Sequence, residues 1–306
     1  MSQTAQKTST LSPEVTQLDP SSTSEHGRTY HSFKHGKYIL PNDSKEQYRL
    51  NSQHQLLKLL LDGSLGSAPV GRAPSVLDIG TGTGIWAMDF ASAFPDSQVV
   101  GMDLSLIQPS NTPPNCRFVR GDAEDDDWPV AGTFDYIHLR MMVSCFNQPR
   151  RTIKSIFEKL APGGWVEFQD VEMGACSEDG STRGTSMERL GGYLESGLVA
   201  IKRDPKIARQ YESILRETGF VDVVARQIQI PCGIWSEDPK QQALGKLFLS
   251  TYTEESLTGL STKLLLAAGL TIEQGTQLIA GTVRDYLDPE IHGYIVFHVV
   301  HGRKPE

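Results

Sequence analysis

Short apolar runs that end in glycine or aspartate alternate with stretches of helical periodicity through the middle of the chain. SVLDIG (75–80) opens the series and reads as a strand buried on both faces. GIWAMDFASAF (84–94) follows as a helix stopped by Pro95, then QVVGMD (98–103) and CRFVRGD (116–122) as a second and a third strand. FDYIHLR (134–140) is a fourth, and a helix spans about 148–160. Pro162-Gly163-Gly164 then turn the chain into WVEFQDVE (165–172), a fifth strand. Strand and helix in regular alternation need crossover connections, so the pattern predicts an α/β fold with a doubly wound sheet.

The flanks differ. Before the first strand, 43–62 reads as a helix capped by Asp43 or Ser44, with Leu50, Leu57, Leu60 and Leu61 as its apolar stripe and Gly63 as its stop. After the fifth strand, 173–203 is an insertion with a helix from Met187 to Ile201, and a further helix covers about 204–218. VDVVARQIQI (221–230) is a sixth strand. Three helices follow, Asp238 to Tyr252, Glu254 to Ala268 and Thr271 to Leu287, before GYIVFHVVHGRK supplies a seventh strand. Helices that long between two strands predict a cap over the sheet's carboxyl edge. The expected layout is a tail over 1–26 and one domain over 27–306. Within that domain, 27–70 is an N-terminal lid and helix, and 173–203 and 232–288 are helical cap insertions. The tail is rich in Ser, Thr, Gln and Pro and offers little apolar area against its ordering entropy, so disorder is expected there.

Composition narrows the class. Of 306 residues, 38% are apolar and 22% charged, enough for a packed core. No run approaches the ~18 apolar residues of a membrane span, and the N-terminal stretch lacks the apolar segment of a secretory signal. Cys116, Cys145, Cys176 and Cys232 show no metal-ligand spacing. Free thiols in a reducing compartment are expected, hence a cytoplasmic location, with a nuclear one as the alternative. A net charge of −8 weighs against nucleic acid as a partner. The one basic-leaning stretch, 26–37, reads as a solvated arm.

The strongest chemical signal is Asp78-Ile79-Gly80-Thr81-Gly82-Thr83-Gly84, where the first strand hands over to the first helix. Glycines there let the backbone approach a ligand and adopt dihedrals that a Cβ forbids. A dinucleotide fingerprint would want glycine at Ile85, and the loop has no basic residue for a phosphate. Asp78 before the glycines suits a ligand ammonium. Asp103 ends the second strand, where a carboxylate can accept from both ribose hydroxyls. Asp122, after Gly121 and before Ala123, follows the third strand, where it can meet an adenine amino group. Each aspartate alone could be a turn cap. Three at successive strand ends, with the glycines, form a specific set.

These motifs resemble those of the class I S-adenosylmethionine (SAM)-dependent methyltransferases, and most of all the fungal LaeA-like group, also called TAM-domain methyltransferases. The resemblance rests on GRTYHSF, LPND, the helix with Arg49, Gln53 and His54, VLDIGTGTGIWAMDFA, GDAEDDDWP, FDYIHLRMM and LAPGGWVEFQD. Members generally carry acidic residues where this chain has Tyr48 and Asn51. The resemblance implies a Rossmann-like seven-stranded sheet of order 3-2-1-4-5-7-6 with an antiparallel last strand. It implies SAM as cofactor, with Asp78, Gly80, Gly82 and Gly84 around its methionine part. Asp103 and Leu104 would hold ribose and adenine, and Asp122 with Ala123 the adenine edge. His138 and Arg140 would lie near the methionine end or the sulfonium, under a lid made by Tyr30 and the helix around Arg49.

A histidine is the natural general base for an oxygen nucleophile. His138 at the end of the fourth strand is the first candidate, beside its bland reading as a hydrogen-bonded structural histidine. Glu167, Asp170 and Glu172 are alternatives, His31 and His54 weaker ones, and His298 on the last strand reads as core. The run Glu124 to Asp127 before Trp128 is expected to be a solvated acidic turn rather than a metal cluster. Trp128 either covers the adenine side or packs. The leading expectation is O- or N-methylation of a small molecule in fungal secondary metabolism. A LaeA-like regulator acting in a nuclear complex, with protein partners, is the alternative. A SAM-binding enzyme with a non-methylating reaction is a third.

Overall fold

The computed structural model describes residues 22–25, 27–34 and 36–306. β1 (Thr23–Glu25) and β2 (Arg28–Tyr30) pair antiparallel, with Thr23 opposite Tyr30. β1 lies inside the stretch expected to be disordered; residues 1–21 and His26 lie outside the described residues. Polar bonds that hydropathy does not register tie this hairpin down. Asn42 donates to Ser22 Oγ at 3.0 Å, Thr29 Oγ1 donates to Asn42 Oδ1 at 2.9 Å, and Arg28 grips Asp43. Asp43 also caps α1 (Ser44–Leu60), accepting from the Glu46 amide at 3.1 Å, which satisfies one of the helix's free N–H groups.

The main sheet holds β3 (Ser75–Ile79), β4 (Gln98–Asp103), β5 (Cys116–Arg120), β6 (Phe134–Arg140), β7 (Leu160–Val171), β8 (Val221–Pro231) and β9 (Tyr294–Arg303). Its order is β5-β4-β3-β6-β7-β9-β8, which is 3-2-1-4-5-7-6 along this sheet. β9 runs antiparallel to both neighbours and the rest of the pairs are parallel. Two expected boundaries move. The Pro162-Gly163-Gly164 turn is a bulge inside β7, where the register shifts between Phe134 and Tyr136 and the Gly163 amide donates to the Lys304 carbonyl at 3.0 Å. The helix expected over 204–218 splits into a short 3₁₀ turn, Ile207–Gln210, and α5 (Tyr211–Thr218).

Strand alternation sorts the core onto two faces. Val76, Val99 and Tyr136 join Trp86 and Phe90 of α2 (Ile85–Ala93) on one side. Leu77, Val100 and Ile137 pack on the other, on the side of α3 (Pro149–Lys159) and α5. The cap is built from both insertions. α4 (Ser186–Ala200) packs on α7 (Glu254–Ala267) and α8 (Ile272–Leu287), while α6 (Pro239–Thr251) lies on α1. No helix among the described residues is long and apolar enough to cross a membrane.

Candidate cofactor and acceptor site

Parallel register places Asp78 on β3 opposite Gly101 of β4 and His138 of β6. Asp78 Oδ1 accepts from His138 Nδ1 at 2.8 Å and Oδ2 from Thr81 Oγ1 at 2.6 Å, so its carboxylate is fixed before any ligand arrives. Gly80 and Gly82 then turn the chain at φ 71° and 57°, values that side chains rarely adopt. Gln108 Nε2 donates to the Gly82 carbonyl at 2.6 Å and Thr83 Oγ1 to Asn51 Oδ1 at 2.8 Å, which pins the loop from two sides. Asn51 is thus a contact between α1 and the loop, whereas Tyr48 points to solvent.

Asp103 ends β4 and accepts from the amides of Gly82 and Ser105, each at 2.9 Å. Burial, reinforced by the nearby Asp78, pushes its carboxyl up to about 6. Asp122 follows β5 and accepts from the Glu124 amide at 2.9 Å and from Lys34 Nζ at 2.9 Å, and it also pairs with Lys37. Burial works against its ionisation, but Lys37, the Glu124 amide and Lys34 together hold it below the usual carboxylate range. The acidic run is therefore solvated only at its far end, where Asp126 and Asp127 are exposed. Glu124 pairs with Lys37 at 3.1 Å, Asp125 with Lys34 and Asp126 with Arg151. The basic-leaning stretch is likewise no free arm, since its two lysines dock on these acids. Trp128 packs in the main core and does not line the cavity.

Arg140 closes β6. It donates to His54 Nδ1 at 3.1 Å, and His54 Nε2 in turn donates to Asp89 Oδ2 at 3.0 Å. Arg140 has no carboxylate partner among the described residues, and burial lowers its pKa to about 10. Burial also lowers the pKa of His54, which suits its place as a neutral relay. Arg49 of α1 makes a fork with Glu46 at 2.7–3.1 Å. Burial disfavours its charge, yet Glu46 more than offsets this and leaves the guanidinium above its ordinary value.

One cavity gathers most of these groups. Asp78, Gly80, Gly82, Asp103, Leu104, Asp122, Ala123, Arg140 and Arg49 all line it, along with Tyr38. Its far wall is apolar and comes from the cap: Met187, Leu190, Phe248, Leu257, Leu264 and Tyr286. Three expected residues lie elsewhere. Gly84 caps α2 at φ 79° and packs on Phe118, whose ring a Cβ would meet at 2.3 Å. Tyr30 is buried beneath Lys263, whose ammonium sits 3.5 Å over its ring. His138 is fully buried between Asp78 and the Trp86 indole, stacked at 3.7 Å between centroids and 4° between planes, and does not line the cavity.

Of the strand-five carboxylates only Glu172 reaches the cavity. It is held by Arg209 and by His298 Nε2 at 2.7 Å, which together keep it below its ordinary value despite burial. Glu167 is consumed by the amides of Ser67 and Ala68 and by Tyr136, and Asp170, pushed up to about 7 by burial, by Tyr211 and the Met142 amide. His31 and His54 do not line the cavity either. Thr81, Gln108, Tyr38 and Arg203 were not singled out from sequence. The glycine loop advertised the two threonines beside it, but nothing local marks Arg203, which donates to the Lys37 carbonyl at 2.7 Å from far along the chain.

A doubly wound sheet with an antiparallel last strand, a glycine turn and carboxylates at three strand ends defines a Rossmann-like cofactor-binding enzyme. Comparison with known proteins carries this one step further. The methyltransferase domain family matches residues 43–225. The chain is 37% identical over 287 residues to methyltransferase pytC of Aspergillus terreus, covering 92% of this chain and 87% of that protein. It is 31% identical over 285 residues to protein-methionine methyltransferase laeA of Emericella nidulans, and 30% identical over 285 residues to secondary metabolism regulator laeA of Aspergillus fumigatus. Each of these two alignments covers 92% of this chain and 76% of the relative. The chain belongs to the class I SAM-dependent methyltransferases, among the fungal pytC- and laeA-type proteins of secondary metabolism. Its cofactor is SAM.

Proposed function

We propose that the chain transfers a methyl group from SAM to an oxygen or nitrogen of a small molecule made in fungal secondary metabolism. One observation carries this reading: a single cavity is lined both by the strand-end carboxylates and by the apolar side chains of the cap. Bound in the first part, SAM supplies a methyl group on a sulfonium leaving group that needs no further activation. The residues present fit it. Asp103 offers two acceptor oxygens already oriented by backbone amides, Arg140 carries a cation with no carboxylate partner among the described residues, and Asp78 lies where a ligand ammonium can meet it. Tyr38 and the neighbouring α1 close one side of the cavity, which excludes water and fixes the approach of the acceptor.

His138 acts through Asp78 in this scheme, as a positioning residue. No histidine lines the cavity among the described residues, and Glu172, the candidate base that does, is already held by Arg209 and His298, so in this reading the reaction relies on alignment and on the acceptor's own acidity. The second reading, methylation of a protein in a regulatory role, is supported by the laeA-type relatives. The test is calorimetric titration with SAM and with S-adenosylhomocysteine, alongside Asp103→Ala. Micromolar binding that Asp103→Ala removes is the expected outcome. Turnover on metabolites extracted from a producing fungus, followed by mass gain of one methyl, then separates the two readings. Absence of SAM binding sinks both.

A further inference from the structure

Ser261 lies on α7, 1% exposed, and lines the apolar part of the cavity. Its hydroxyl has no hydrogen-bond partner among the described residues. A helical serine normally escapes that penalty by donating to the carbonyl one turn back, and its neighbours do so. Thr258 donates to the Glu254 carbonyl and Thr262 to the Thr258 carbonyl, both at 2.7 Å. Ser261 does not. A buried hydroxyl left unpaired in an otherwise apolar wall is costly unless a ligand completes it.

A second hydroxyl lines the same cavity from the end of α6. It belongs to Tyr252 and accepts from Gln53 Nε2 at 2.8 Å, which leaves its own O–H free to donate. Burial raises its pKa, so the phenol keeps that proton. The charged side chains on this part of the wall are already neutralised inside the protein, Arg49 by Glu46 and Glu172 by Arg209 and His298. Phe248 stands 4.6 Å from the Tyr252 ring and 5.1 Å from the Tyr286 ring, which gives the wall an aromatic lining.

We propose that the inner face of the cap is an acceptor subsite for an uncharged, ring-bearing apolar molecule, with an oxygen of that molecule read by Ser261 and a further donor offered by Tyr252. The proposal rests on the methyltransferase reading and names the substrate chemistry of that site. Paired charges on the wall disfavour an ionic acceptor, because a charged ligand would lose its water without gaining a counter-ion. The two hydroxyls disfavour a pure hydrocarbon, because it would leave both unpaired.

The test uses the protein saturated with S-adenosylhomocysteine and two probes of one shape, 2-naphthol and naphthalene, titrated by fluorescence. Saturable 2-naphthol binding is expected, and Ser261→Ala should weaken it about three- to tenfold, the usual net effect of one hydrogen bond, while leaving naphthalene unchanged. Leu260→Trp, which fills the chamber from the same helix, should abolish binding of both probes and leave S-adenosylhomocysteine bound. Equal affinity of Ser261→Ala and the unaltered protein for 2-naphthol would overturn the proposal. So would failure of both probes to bind a protein that still takes S-adenosylhomocysteine. Failure of S-adenosylhomocysteine itself overturns the cofactor reading, and the subsite with it.

Discussion

At the end of β4, Asp103 accepts from the amides of Gly82 and Ser105, has no cationic partner among the described residues and has a second carboxylate, Asp78, nearby. Burial makes its ionised form costly in the free protein, and ribose hydroxyls need that form as acceptor. Protonation and cofactor binding therefore compete. Since the carboxyl is pushed up to about 6, affinity for S-adenosylhomocysteine should be flat above pH 7 and fall as pH drops through 6, toward about tenfold per pH unit. Asp103→Asn should bind more weakly at pH 8 and lose the slope between pH 5 and 8. Calorimetry across that range checks this, and a slope that survives in Asp103→Asn would assign it to another group. The three strand-end aspartates were legible because a parallel α/β sheet places ligands outside its carboxyl ends. His138 was not, because what separates it from Arg140 is depth. Tyr136, His138 and Arg140 share one face of β6, yet the first two are covered by Trp86 and only the third clears the helix to reach the cavity.

Among the elements, the segment between β2 and α1 shows best how a charge pattern can mislead. Read alone, Lys34 and Lys37 belong to a solvated arm and Glu124 to Asp127 to a solvated turn. Across 88 and 85 residues of chain they bond to Asp122, and each lysine also pairs with a second acid. Tyr38, one residue after the clamp, lines the cavity, so the clamp holds the wall it forms. Asp122 is almost fully buried, and Lys37 is 17% exposed, so these pairs escape part of the screening that empties surface ion pairs of energy. Lys34→Ala with Lys37→Ala should let S-adenosylhomocysteine dissociate about three- to tenfold faster at low salt, on a loss of roughly 1 kcal/mol. Rising salt should speed dissociation from the unaltered protein and change the double variant much less. Stopped-flow displacement reads both, and equal salt slopes would separate the clamp from the cofactor. Sequence supplies the two charges but carries no local signal for pairing at that separation.

Across the whole molecule, the sheet was legible as far as its strand order, and the cap as helices over the carboxyl edge but not in how they pack. Alternation predicts a doubly wound sheet and the family resemblance implies its strand order, but cap packing rests on contacts that leave no hydrophobic signature. Gly197 of α4 sits so close to α7 that a Cβ there would lie 2.3 Å from the Leu264 carbonyl oxygen and 2.8 Å from its carbon. Only a glycine lets these two backbones meet, and Leu264 on one of them walls the acceptor chamber. Gly192, five residues earlier on the same helix, has nothing within 4 Å of the same position. The pair makes an internal control. Gly192→Ala should stabilise the protein by about 0.5–1 kcal/mol, since alanine loses less backbone entropy in a helix. Gly197→Ala gains the same propensity but must part α4 from α7, an overpacking cost of about 1–3 kcal/mol, so a net loss is expected. Urea midpoints of the two variants give the signs. Stabilisation by both variants would mean that α4 and α7 can move apart freely, and that the chamber between them has no fixed shape with which to select an acceptor.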